Sequence, residues 1–112
     1  MIQPLSYIHS DAKVADNVIV EPFSTIYKNV EIGEGTWIGS NVTIMSGARI
    51  GKNCKIFPGA VISGVPQDLK FDGEDSLAII GDNTTIRECV TINRGTASKG
   101  ITKIGKNCLI MA

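Results

Sequence analysis

Residues 26–62 read IYKNVEIGEGTWIGSNVTIMSGARIGKNCKIFPGAVI. An isoleucine falls at every sixth place within that stretch: Ile26, Ile32, Ile38, Ile44, Ile50, Ile56 and Ile62. Toward the N-terminus the series continues as Val20, Val14 and Ile8. Toward the C-terminus it returns in the same phase at Ile80, Ile86 and Ile92, then at Ile104 and Ile110. A period of six fits neither the 3.6-residue helix nor the coiled-coil heptad. It is a whole number of two-residue pleats, so every sixth side chain points the same way on extended backbone. This is the hexapeptide cadence of a parallel β-helix.

The other positions of the repeat agree. Four residues after each aliphatic the chain carries a small or β-branched residue, among them Ala12, Ser24, Val30, Thr36, Val42, Ala48, Cys54, Ala60, Thr84 and Val90. One large and one small inward residue per unit would fill a narrow interior. Three residues after the aliphatic stands Asn or Gly in most units: Asn17, Asn29, Gly35, Asn41, Gly47, Asn53, Gly59, Asn83 and Asn107. These residues accept positive φ at low cost, so each unit reads as a short strand plus a tight corner. Three corners close a triangular coil of roughly eighteen residues, stacked at the strand spacing of about 4.8 Å. A β-sandwich would want hairpin turns at 8–12-residue intervals, and the Asn-Gly hairpin dipeptide is absent.

The length of 112 residues suits one domain, here residues 1–112, with room for about six coils including what any loops consume. Eleven basic and eleven acidic residues cancel, and no basic stripe suggests nucleic acid. No apolar run approaches the ~20 residues of a membrane span. The N-terminus has no basic segment followed by an apolar stretch, so a cytoplasmic protein is expected. Cys54, Cys89 and Cys108 lack metal-ligand spacing. They read as reduced core residues rather than a disulfide or zinc site, and no metal is expected.

The rhythm lapses at 64–77 and again at 94–102. Both lapses are polar and contain glycine, and loops that leave a rigid scaffold commonly carry binding groups. The first holds Gln67, Asp68, Lys70, Phe71, Asp72 and Glu74. Asp68 would orient a sugar hydroxyl and Lys70 would meet an anion such as phosphate. A solvated loop anchored by Leu69 and Phe71 is the alternative. At the second lapse, the period turns Ile92 and Thr96 inward and leaves Asn93 and Arg94 outward. How many strands the first lapse replaces cannot be read from the cadence.

Gln67-Asp68-Leu69-Lys70-Phe71 with Gly73-Glu74, then Ile86-Arg87-Glu88 and Thr91-Ile92-Asn93-Arg94-Gly95-Thr96, resemble the acyl-carrier-protein-dependent UDP-N-acetylglucosamine O-acyltransferases of lipid A synthesis. Ile8-His9-Ser10 with Ala12 and Val14 resembles the opening coil of that family. The resemblance implies an all-β, left-handed parallel β-helix with two external loops, against the usual right-handed crossover. It also implies a homotrimer with active sites between subunits. The reaction would move a 3-hydroxyacyl group from acyl-carrier protein to the 3-hydroxyl of UDP-N-acetylglucosamine. A histidine would be the general base and a backbone N–H the oxyanion donor, with no cofactor beyond the acyl-carrier thioester. By the same resemblance Asp68 would contact the sugar, Gln67 and Lys70 the nucleotide-sugar or its phosphates, and Asn93 and Arg94 would line the cleft.

The one histidine, His9, sits in the first coil, and a structural or surface role is expected for it. The family's general base is expected beyond Ala112, so no catalytic residue is assigned in this chain. By the resemblance, Asn93 stands at a position where some family members carry histidine, and an amide cannot shuttle a proton near neutral pH. The last repeat is unfinished at Ala112. The expectation is the N-terminal part of a longer protein, inactive alone. Other readings are a different hexapeptide acyl- or acetyltransferase, or a non-catalytic β-helical scaffold. A hexapeptide carbonic anhydrase would need three histidine ligands.

Overall fold

The computed structural model describes residues 2–64, 77–93 and 101–111. In chain order the strands are β1 (Tyr7–Ile8), β2 (Lys13–Val14), β3 (Ile19–Val20), β4 (Thr25–Ile26), β5 (Glu31–Ile32), β6 (Trp37–Ile38), β7 (Thr43–Ile44), β8 (Ala48–Ile50), β9 (Lys55–Ile56), β10 (Val61–Gly64), β11 (Leu77–Ile80), β12 (Thr85–Ile86), β13 (Thr91–Asn93), β14 (Ile101–Ile104) and β15 (Leu109–Ile110). They form three parallel five-stranded sheets. The first face is β1-β4-β7-β10-β13, the second β2-β5-β8-β11-β14, the third β3-β6-β9-β12-β15. Successive strands therefore pass to successive faces, and every third strand returns one rung higher. The fold is a left-handed parallel β-helix of triangular coils.

The interior is the aliphatic column the sequence marks. Ile8 pairs with Ile26, Ile26 with Ile44, and Ile44 with Ile62. Ile26, Ile38, Ile44, Ile56, Ile62 and Ile86 have no exposed surface. Each contributes about 1.5–3 kcal/mol by burial. The small positions interleave with them, as Val30, Val42, Ala48, Cys54 and Ala60 are equally buried.

Buried hydroxyls replace part of the backbone ladder near the corners. Thr36 Oγ1 donates to Gly51 O at 2.8 Å and accepts from Cys54 N at 3.1 Å. Ser24 Oγ likewise donates to Gly39 O and accepts from Val42 N. Thr84 Oγ1 donates to Gly105 O and accepts from Cys108 N. In each case one side chain satisfies a donor and an acceptor of the coil above, groups that would be costly to leave unpaired.

The corners are left-handed, as Asn and Gly predict. Asn17, Asn29, Asn41, Asn53, Asn83 and Asn107 have φ between 55° and 60°. Leu5, Phe23 and Cys89 occupy the same corner position and adopt φ of 70°, 68° and 60°, although their side chains disfavour it. The winding overrides local preference at those three places. At Asp11 the turn differs: it has no positive φ, its N–H donates to His9 Nδ1 at 3.0 Å, and Ala12 N donates to His9 O. Cys54 is buried, Cys108 partly so, and all three thiols are free. Cys89 departs from the expected core role, because its corner position turns the side chain outward and leaves it exposed.

Candidate functional site

Strand pairing settles the register across the first interruption. Ile50 on β8 pairs with Ile80 on β11, and Ile62 on β10 with Ile92 on β13. Ile62 and Ile80 are thus consecutive column residues on adjacent faces. They lie eighteen positions apart where the repeat needs six, so twelve residues are inserted. Ile92 and Ile104 are likewise consecutive at twelve positions, so six are inserted there. Together the insertions equal one coil, which is why five rungs are wound rather than six. The second interruption also ends earlier than the cadence suggests, since β14 already begins at Ile101.

Both insertions leave the edge between the first and second faces, on neighbouring rungs. Their departure points are paired, Gly64 with Asn93, and so are their return points, Leu77 with Ile101 and Ala78 with Thr102. Strands flanking the insertions run three or four residues where most others run two. This added pairing ties the two roots together. Sequence reasoning missed the shared edge, yet a signal existed. On an unbroken cadence positions 68 and 74 would point inward, and they are Asp68 and Glu74. An unpaired carboxylate in an apolar column is prohibitively costly, so residue chemistry argues against continuing the cadence through those two positions.

Of the five candidate binding residues, Asn93 lies within the described structure. Gln67, Asp68, Lys70 and Arg94 lie outside the described residues. Asn93 ends β13 half-buried at the root of the second insertion. Its side chain stands against Gly64, where a Cβ would be 2.9 Å from Asn93 Oδ1. His9 lies on the same edge, below the rungs of Ile26 and Ile44. That is three rung spacings from the root at Gly64, or about 14 Å.

Both insertions return to the second face. A groove of about 790 Å³ runs along it, reached by Lys13, Glu31, Arg49, Ile79, Lys103 and Lys106. Glycines stack along it in close backbone contact: a Cβ on Gly33 would lie 2.7 Å from the Gly51 backbone. Arg49 is pinned, donating through Nη1 to Asn29 O at 2.8 Å and through Nη2 to Asn29 Oδ1 at 2.7 Å, with Glu31 3.4 Å from Nε. At the groove's upper end Lys103 and Lys106 share the lining with the Asp82 carboxylate, so both signs of charge meet there.

The third face carries a different cluster. Trp37 meets Phe57 edge-on at 5.3 Å, Arg87 lies 4.6 Å over Phe57, and Trp37 Nε1 donates to Glu21. A hydrogen bond from Arg87 holds the Glu88 carboxyl below its usual range. This stack lies a face away from the insertion edge.

Residues 29–64 match the bacterial transferase hexapeptide family of six repeats. A UDP-N-acetylglucosamine O-acyltransferase from Saccharophagus degradans is 43% identical over 99% of this chain. The crystal structure of the Bacteroides fragilis UDP-N-acetylglucosamine acyltransferase superposes with a TM-score of 0.97 at 58% identity, over 99% of this chain and 44% of that one. The Francisella novicida enzyme superposes with a TM-score of 0.95 at 47% identity, over 100% of this chain and 41% of that one. The chain spans about 43% of the length of the curated relatives it matches. Residues 29–64 thus carry the bacterial transferase hexapeptide repeat, and over nearly its whole length this chain is similar to the N-terminal β-helical portion of the UDP-N-acetylglucosamine O-acyltransferases.

Proposed function

We propose that the chain supplies the sugar-nucleotide-binding edge of an acyltransferase. The reaction moves a 3-hydroxyacyl group from acyl-carrier protein to the 3-hydroxyl of UDP-N-acetylglucosamine, the opening step of lipid A synthesis. The observation that carries this reading is the pairing of both insertion roots at one edge, Gly64 with Asn93 and Leu77 with Ile101. Two polar insertions on neighbouring rungs of a rigid scaffold present their groups to one region, which is what holding a two-part ligand needs. Within it Asp68 addresses the sugar, Gln67 and Lys70 the nucleotide-sugar or its phosphates, and Asn93 and Arg94 the same cleft. The open groove on the second face supports a homotrimer in which a neighbouring subunit closes that cleft. The acyl-carrier thioester is the co-substrate, no further cofactor enters, and the reaction takes place in the cytoplasm. Among the described residues no helix is long and apolar enough to cross a membrane.

The general base is assigned outside residues 1–112, because their one histidine is His9, three and four rungs below the two insertion roots. Calorimetric titration of the chain with UDP-N-acetylglucosamine and with coenzyme A tests the ligand class. Binding of the sugar nucleotide in preference to coenzyme A is expected, and the reverse preference would point to a coenzyme-A-dependent acetyltransferase. Steady-state assay with the acyl-carrier thioester is expected to show no turnover above a no-protein control. Clear turnover would overturn the assignment of the base.

A further inference from the structure

The strand that leads into the first insertion carries a defect in its pairing. Val61 faces Thr91 and Ile62 faces Ile92, but the next pair is Gly64 with Asn93, so Ser63 is an extra residue. Bulges of this kind re-aim a neighbouring side chain and are frequent beside functional sites. Ser63 is fully buried at φ 64°, and its hydroxyl donates to Ser46 O on the rung below at 2.7 Å. A non-glycine residue held in that conformation is strained, and the buried hydrogen bond fixes it there.

The bulge brings Gly64 into register beside Asn93. A methyl group at position 64 would lie 2.9 Å from Asn93 Oδ1 and 3.7 Å from Val61 Cγ1. The closer neighbour is the end of a side chain that can rotate, so the carboxamide would yield before any backbone. The glycine therefore leaves the space that the Asn93 carboxamide fills.

We propose that Gly64, placed by the Ser63 bulge, is a positioning residue that seats the Asn93 carboxamide for the sugar nucleotide. The proposal rests on the reading that Asn93 lines the cleft. Sequence alone shows a Ser-Gly pair before a polar segment, which is ordinary loop chemistry. The pairing with Asn93, about thirty residues later, gives the pair its role.

A double-mutant cycle tests it, read by calorimetry with UDP-N-acetylglucosamine and by the Asn93 side-chain amide resonances in the free protein. Gly64→Ala is expected to weaken binding about tenfold, within the coupling range of contacting residues, and to shift those resonances. In an Asn93→Ala background it is expected to weaken binding no further. Equal weakening in both backgrounds, or unmoved Asn93 resonances, would overturn the proposal. If Gly64→Ala does not fold, Ser63→Ala takes its place: it removes the pin without adding atoms, and an unshifted Asn93 amide would again overturn it. Absence of sugar-nucleotide binding by the unmodified chain would overturn the proposed function instead, while the resonance shift still decides the seating of Asn93.

Discussion

The edge between the second and third faces and the edge between the first and second are built from the same repeat but differ in regularity. The former turns through Asn17, Gly35, Asn53, Asn83 and Asn107, left-handed at all five rungs. The latter opens with Asp11, which lacks positive φ and leans on His9, turns left-handed at Asn29 and Gly47, and is then interrupted twice. The interior column passes both edges unchanged, with Ile50 meeting Ile80 across the longer insertion as squarely as Ile32 meets Ile50. The column and its ladder therefore hold the coil, and an edge is free to vary as long as the column closes behind it. That freedom lets one edge carry chemistry without loss of the scaffold.

Substitutions can break this contrast. Ile44→Ala, in the column, is expected to cost about 2–5 kcal/mol in urea denaturation, since no surface of Ile44 is exposed and the surrounding rungs cannot collapse around it. A loss below ~1 kcal/mol would deny the column its role. Thr36→Val keeps the shape but orphans Gly51 O and Cys54 N, and a loss of about 1–3 kcal/mol is expected.

At the corners effects shrink and can change sign. Phe23→Asn replaces an exposed ring at φ 68° with a residue suited to that backbone, and a gain of about 1 kcal/mol is expected. Deleting residues 65–76 restores the six-residue step from Ile62 to Ile80. Stability should then change by under about 1 kcal/mol, because loop-closure entropy varies slowly with length, while sugar-nucleotide binding disappears. Retained binding would move the site away from this edge.

The smallest effect concerns pH. Burial, the largest cause, pushes the Cys54 thiol above its ordinary value of 9.0. The folded state then holds its proton more tightly than the unfolded chain, so this stability is full below the ordinary value. It is lost as pH rises past that value toward the folded-state pKa. Chemical denaturation of Cys54→Ala should show a shallower alkaline decline than the parent chain. An equal decline would assign the loss to other groups.

Column and corners were legible in the sequence because periodicity reports which side chains turn inward. It is blind to which face a rung occupies once residues are inserted in multiples of six, as they are before Ile80 and before Ile104. Residue chemistry at positions 68 and 74 hinted at the shared edge of the two insertions, strand pairing fixed it, and the seat of Asn93 on Gly64 emerged only from pairing. Leu5, Phe23 and Cys89 show the opposite failure, where residue type argued against a conformation that winding imposed. The Trp37–Phe57–Arg87 stack joins residues from three rungs of one face, a relation no local pattern encodes.

Stacking also governs the order in which the molecule can assemble. Ile32 and Ile50 meet across eighteen residues, whereas Ile50 and Ile80 meet across thirty. The longer closure costs less than the ~0.6 kcal/mol of a doubled loop, yet it must wait for twelve more residues to leave the ribosome. Winding that propagates from neighbour to neighbour would therefore complete the rungs up to Gly64 and pause there during synthesis, with the top of that partial column open to solvent until Leu77 arrives.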